Sequence, residues 1–195
     1  MKNRLYVAYG SNLNIDQMTF RCPNAKLYGT GVLENYELQF KGRPHMAFAT
    51  IGKKEGANVP VALWKISKSD EKSLDIYEGF PKHYTKKNVE VNMGDKSVEG
   101  MVYVMNQKMT YGLPSKHYYD TVLEGYRDCG LDKSVLKEAL VNSAQMFYND
   151  LGKGQLIEMF YNDEENDEIN EMDLENDDVD TSSDPFYYSE DIRFI

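Results

Sequence analysis

Two short segments hold residue types that could do chemistry together. The first is Tyr9-Gly10-Ser11-Asn12-Leu13, placed between the aromatic and β-branched run Leu5–Tyr9 and an amphipathic stretch from Ile15 to Phe20. Gly10 admits backbone conformations that a Cβ would forbid. The N–H groups at the start of the next helical turn have no internal partner, so they cradle a carboxylate or a developing oxyanion. Ser11 and Asn12 add short side-chain donors. By themselves, these five residues also describe a capped turn without a ligand.

The second segment is Leu74-Asp75-Ile76-Tyr77-Glu78-Gly79. Glu78 falls on the last turn of a helix, just before the glycine that ends it. The negative end of the helix dipole disfavours its charged form there. Burial beside Tyr77, Phe80 and Tyr84 would act in the same direction. A carboxyl raised in this way is poised for proton transfer near neutral pH. Taken alone, it is equally a surface glutamate near a helix end.

These segments need elements to hold them. Leu5–Tyr9 reads as a buried strand that stops at Gly10. Strand-like segments follow at Leu27–Leu33, Tyr36–Phe40, Ala47–Ile51, Val59–Ile66, Asn88–Asn92 and Val98–Val104, with glycines between them. So many short strands with turn signals predict a small, strongly curved sheet or a barrel. Ser67 with Asp70 three residues on predicts a capping box, and Gly79 followed by Pro81 ends that helix. Apolar spacing predicts further helices over Ser115–Cys129 and Lys133–Tyr148. Trp64 lies in an apolar run and reads as a core anchor.

The chain has 195 residues and a formal net charge of −10. Residues 161–195 carry 14 acids and one base, Arg193, whereas residues 1–160 carry 18 acids and 21 bases. The organisation expected is therefore a near-neutral domain over 1–160 and an acidic tail over 161–195. Asn162–Asp180 is a poor independent folder, while the aromatic end, Pro185–Ile195, could dock on the domain or on a partner. Without a basic stripe the domain is not expected to bind nucleic acid. Without a long apolar run or a leader it is not expected to meet a membrane. Cys22 and Cys129 stand far apart, which fits two free thiols in a reducing cytoplasm. They share no metal-ligand spacing with His45, His83 and His117.

Read in order, YGSNL, ATI (Ala49–Ile51), VALWKI (Val61–Ile66), LDIYEG, Tyr84 and Pro114-Ser115-Lys116-His117-Tyr118 resemble the gamma-glutamylcyclotransferase-like (AIG2-like) superfamily over roughly residues 4–140. The resemblance implies an α+β fold, a small mixed β-barrel with flanking helices. It implies an acyltransferase or lyase chemistry in which the α-amine of a γ-glutamyl amide attacks its own side-chain carbonyl, giving 5-oxoproline and a free amine. Glu78 then corresponds to the catalytic acid/base. Tyr9, Gly10, Ser11, Asn12, Leu13, Tyr84 and Tyr118 correspond to the substrate-binding set.

No cofactor or metal is implied, and the partner is a small-molecule γ-glutamyl amide, bound by a monomer or a homodimer. Arginine is scarce near the loop: only Arg4 and Arg21 precede Arg43, so carboxylate recognition falls to backbone amides or to those two. Phe80–His83 and the acidic extension depart from the family pattern. Two other readings stay open: a non-catalytic member that binds a small acidic metabolite, and an interaction protein that recruits a basic partner through its tail.

Overall fold

The computed structural model describes residues 4–43, 45–106 and 108–150; the acidic tail and its aromatic end lie outside the described residues. Five strands close a barrel in the order β1-β3-β2-β4-β5. They are β1 (Arg4–Ala8), β2 (Lys26–Arg43), β3 (Met46–Ile66), β4 (Tyr84–Asn92) and β5 (Ser97–Met105). β1 runs antiparallel to β3 and parallel to β5, with Tyr6 opposite Met101. The expected mixed barrel with flanking helices is what the chain forms.

The strand boundaries differ from expectation. Leu27–Leu33 and Tyr36–Phe40 are one strand, and Ala47–Ile51 and Val59–Ile66 are another. The two long strands pair with each other along a single ribbon, with register shifts at Leu27/Gly29 and Glu34/Tyr36. At the second shift Asn35 takes a φ of +60°, and its Oδ1 accepts the Gly56 N–H at 3.0 Å. Turn-type residues here make bulges, which bend and twist a strand without ending it.

Four helices pack on the barrel: α1 (Ile15–Arg21), α2 (Lys68–Tyr77), α3 (Lys116–Asp128) and α4 (Lys133–Asp150). The α2 capping box forms as expected. Ser67 Oγ accepts from the Asp70 N–H at 3.2 Å, and Asp70 Oδ2 accepts from the Ser67 N–H at 2.9 Å. Gly79, at φ +59°, ends this helix, a conformation that suits glycine. Ser115 caps α3 by accepting from the Tyr118 N–H. The core is made by Val7, Phe40, Val61, Leu63, Met101 and Tyr103 of the strands with Leu74, Val122, Tyr126 and Leu136 of the helices, all nearly or wholly buried. Trp64, 4% exposed, is the core residue its run predicts. No helix among the described residues is long and apolar enough to cross a membrane.

Candidate active site

Behind β1 the chain makes one turn of 3-10 helix, Ser11–Leu13, with Gly10 at its start. The Leu13 N–H bonds the Gly10 carbonyl at 2.9 Å, so that amide is used within the turn. The Ser11 and Asn12 N–H groups precede the first bond such a turn can make, and no hydrogen bond among the described residues uses them. Two of the expected amides thus have no partner among the described residues, in a turn whose Ser11 and Asn12 are buried, while that of Leu13 is paired.

Gly10 itself has φ −118°, which a side chain tolerates. Its requirement is space: a Cβ there would lie 3.2 Å from Ala49 Cβ and 3.3 Å from the Tyr118 hydroxyl. The turn is held from outside by α3. Leu13 is fully buried against Gly125, where a Cβ would come within 2.6 Å of Leu13 Cβ and 2.5 Å of the Asn14 nitrogen. Asn14 caps α1 through Gln17 N and donates to Glu124 Oε2 at 2.6 Å.

Glu78 sits at the C-cap of α2, its N–H bonded to the Leu74 carbonyl. Asn12 Nδ2 donates to Glu78 Oε1 at 2.9 Å and to the Tyr6 hydroxyl at 2.8 Å. Arg21, at the end of α1, donates to Asn12 Oδ1 at 2.7 Å. Its guanidinium lies 3.7 Å from the centre of the Tyr77 ring, and the Tyr77 hydroxyl is 3.2 Å from Ser11 Oγ. Burial pushes the Glu78 carboxyl up to about 7, against the Arg21 charge and the Asn12 hydrogen bond, which pull it down. Phe80, expected to help bury Glu78, instead keeps 39% of its surface exposed, with Lys86 Nζ 4.8 Å from its ring centre.

Three tyrosines complete the cluster. Tyr9 is buried and donates its hydroxyl proton to the Tyr103 carbonyl at 2.7 Å. The Tyr84 hydroxyl donates to the Ala49 carbonyl at 3.0 Å, and the Tyr118 hydroxyl accepts from the Ala49 N–H at 3.1 Å. Burial raises all three phenols, and the Glu78 charge adds to this in each case. The fold therefore gathers Tyr9, Gly10, Ser11, Asn12, Tyr84 and Tyr118 around Glu78, with Leu13 anchoring the turn in the core.

Tyr6, Tyr77 and Ala49 also belong to this cluster, and the sequence did not mark them as site residues. Arg21 was visible as one of two nearby arginines, but its link to Asn12, nine residues earlier, was not. Burial pushes the Cys22 thiol up to about 12 and that of Cys129 to about 11, so neither supplies a thiolate at neutral pH. Among the described residues no group of three or more His, Cys, Asp or Glu could hold a metal ion. An open cleft lined by Asn24, Lys26, Lys65, Ser67 and Ser69 contains none of the cluster residues.

The arrangement is a carboxyl able to take and return a proton near neutral pH, beside unpaired backbone donors and protonated phenols. Known proteins resemble the chain in both sequence and fold. The profile of the family described as Gamma-glutamyl cyclotransferase, AIG2-like matches residues 6–124. The chain is 31% identical over 137 residues to a Bos taurus protein named Gamma-glutamylcyclotransferase, covering 65% of this chain and 72% of that one. It is 31% identical over 136 residues to the Homo sapiens protein of the same name, with the same coverage. A solved structure titled Gamma-glutamyl cyclotransferase superposes with a TM-score of 0.65 at 28% identity, over 71% of this chain and 86% of that one. YkqA from Bacillus subtilis shares the fold, with a TM-score of 0.64 at 19% identity over 75% of this chain and 56% of that one.

Proposed function

The chain belongs to the Gamma-glutamyl cyclotransferase, AIG2-like family, and from that premise we propose that it cyclises γ-glutamyl amides, releasing 5-oxoproline and an amine or amino acid. The observation that carries the reading is the 2.9 Å bond from Asn12 to a Glu78 carboxyl held at about 7. The attacking α-amine is an ammonium at neutral pH and has no lone pair until a proton leaves it. Glu78 is the base that takes it.

The freed amine then attacks the γ-carbonyl of the same molecule, so the pocket has only to hold the folded conformer. The new C–N bond forms, and the ring nitrogen sheds its second proton. The amide C–N bond breaks as the leaving nitrogen is protonated. Glu78 carries these protons from one nitrogen to the other, and no external acid, oxidant or metal enters the balance. The unpaired N–H groups of Ser11 and Asn12 offer hydrogen bonds to negative charge on the substrate. Gly10 and Tyr9 shape the floor beside Tyr84 and Tyr118, and Leu13 fixes the turn. In this proposal residues 1–160 are the catalytic unit.

The test is a panel of γ-glutamyl amides of amines, amino acids and the lysine side chain, assayed for 5-oxoproline. Release from at least one member is expected. A purified, folded protein that releases none across the panel overturns the reading.

A further inference from the structure

The backbone of Ala49 turns both of its polar groups toward side chains and away from its strand partner. Ala49 lies directly opposite Phe40 in the β2–β3 ribbon. Phe40 likewise sends its N–H to Ser143 Oγ at 2.8 Å and takes the Gly112 N–H on its carbonyl. The two residues form a non-hydrogen-bonded pair, with their polar groups pointing outward. On its outer side β3 pairs with β1 only over Ala62–Ile66, well beyond Ala49. That stretch of edge is open to side chains, and Tyr118 and Tyr84 fill it.

A phenol has one proton to give. Tyr84 spends its proton on the Ala49 carbonyl, so toward the site it has only lone pairs. Tyr118 receives the Ala49 proton, so its own O–H remains to donate. One residue thus sets two tyrosines to opposite polarity. Both phenols are raised, so both stay protonated at neutral pH and the polarity does not invert. The Tyr118 oxygen lies 3.3 Å from where a Gly10 Cβ would stand, at the start of the turn whose Ser11 and Asn12 N–H groups have no partner among the described residues, so donors gather on this side. The Glu78 charge reaches Tyr84, so this acceptor oxygen and the carboxyl lie within electrostatic reach of each other.

We propose that Tyr84 accepts an N–H of the substrate's α-ammonium and that Tyr118 donates to its α-carboxylate, so that Ala49 fixes which way round the zwitterion binds. This rests on the γ-glutamyl reading and adds an orientation to it. The reverse placement would set a carboxylate oxygen against the Tyr84 oxygen with no proton between them, leaving two acceptors unpaired.

Calorimetric titration of three unreactive acids tests the proposal. L-Glutamate carries both charges, glutarate lacks only the α-ammonium, and 4-aminobutanoate lacks only the α-carboxylate. Wild type should prefer glutamate to either by at least about tenfold, the discrimination that one buried polar group supplies. Tyr84→Phe should narrow the glutamate/glutarate ratio about fivefold and leave the glutamate/4-aminobutanoate ratio unchanged; Tyr118→Phe should do the opposite. A ratio measured within one preparation does not depend on how much of a variant is folded. Ratios that narrow together, in the swapped variants or not at all overturn the proposal, as does wild type binding none of the acids. Turnover of the γ-glutamyl panel is measured in parallel. Its presence with the wrong ratios sinks the orientation alone, while its absence sinks the parent reading and this one together.

Discussion

Asp75 and Glu78 stand three residues apart at the end of α2, and the fold partners the two carboxylates in opposite ways. Asp75 meets a cation directly, Lys86 Nζ at 2.6 Å, and accepts the Tyr103 hydroxyl proton at 2.6 Å. Lys86 also reaches Glu71 at 2.7 Å, and Glu71 reaches Arg4 at 2.8 Å. Burial works against the charge on Lys86, yet hydrogen bonds to Asp75 and Glu71 hold its ammonium above its ordinary value. On the other face Glu78 is joined to its nearest cation, Arg21, only through the amide of Asn12. Asp75 is therefore tied to a full charge and a phenol together. Glu78 is oriented by a neutral amide, and its burial keeps a proton within reach near neutral pH.

The sharpest way to break this contrast is to neutralise each carboxylate in turn. Glu78→Gln should lower 5-oxoproline release by about 10³-fold, the scale of general acid–base catalysis. Asp75→Asn should keep turnover within about tenfold, ~1.4 kcal/mol of barrier, and lose ~1 kcal/mol of stability by taking a partner from Lys86 and Tyr103. Equal losses of turnover would remove the distinction.

Thermal melts against pH probe the same contrast next. The Glu78 carboxyl rises from its ordinary 4.5 to about 7 on folding. The folded chain therefore holds this proton more tightly than the unfolded one. The contribution is fully present below pH 4.5 and is lost as pH rises to 7. The loss is about 3 kcal/mol at most. Glu78→Gln has no proton to lose, so its Tm should exceed that of wild type at pH 8 and converge with it near pH 4. A gap of constant size between those limits would contradict the burial of Glu78.

Smaller effects follow from the cations. Arg21→Met should lower kcat/KM about tenfold, as expected for one lost charged hydrogen bond. It should also move the acid limb of the pH profile upward from about 7, because Arg21 holds the Glu78 carboxyl down. Lys86→Met should leave that midpoint in place. Coincident shifts in the two variants would mean that Lys86 acts on Glu78 as well. The smallest change is Gly10→Ala. Its methyl must displace Ala49 Cβ or the Tyr118 hydroxyl by tenths of an ångström, which should reduce kcat/KM by a few fold at a stability loss of ~1 kcal/mol.

The parts of this arrangement that the sequence reveals are those whose signals are local. Ser67 and Asp70 form one capping box three residues apart, and Gly79 follows Glu78 directly, so α2 and its terminal carboxyl can be read from the residues. The strand count is not legible in the same way. Asn35 and Gly56 look like breaks, and only their partner across the ribbon makes them a bulge. Gly10 invites an argument from backbone freedom, but its reason is the Ala49 methyl and Tyr118 hydroxyl standing against it. Arg21 lies nine residues from Asn12, and no periodicity brings the two together. Ala49 carries no chemical side chain at all; its part depends on where β1 stops along β3, a property of topology.

The pairing of β1 with β5 has a consequence in time. Tyr6 and Met101 are neighbours in the barrel but about 95 residues apart along the chain. On a chain growing at roughly 5–20 residues per second, the first strand waits on the order of 5–20 s for that neighbour. The turn it carries, the first part of the site to be synthesised, is among the last to be enclosed. Contacts of such long separation slow folding. Substitutions in β5 that leave Tyr103 in place should therefore delay the appearance of activity during refolding more than they reduce its final value.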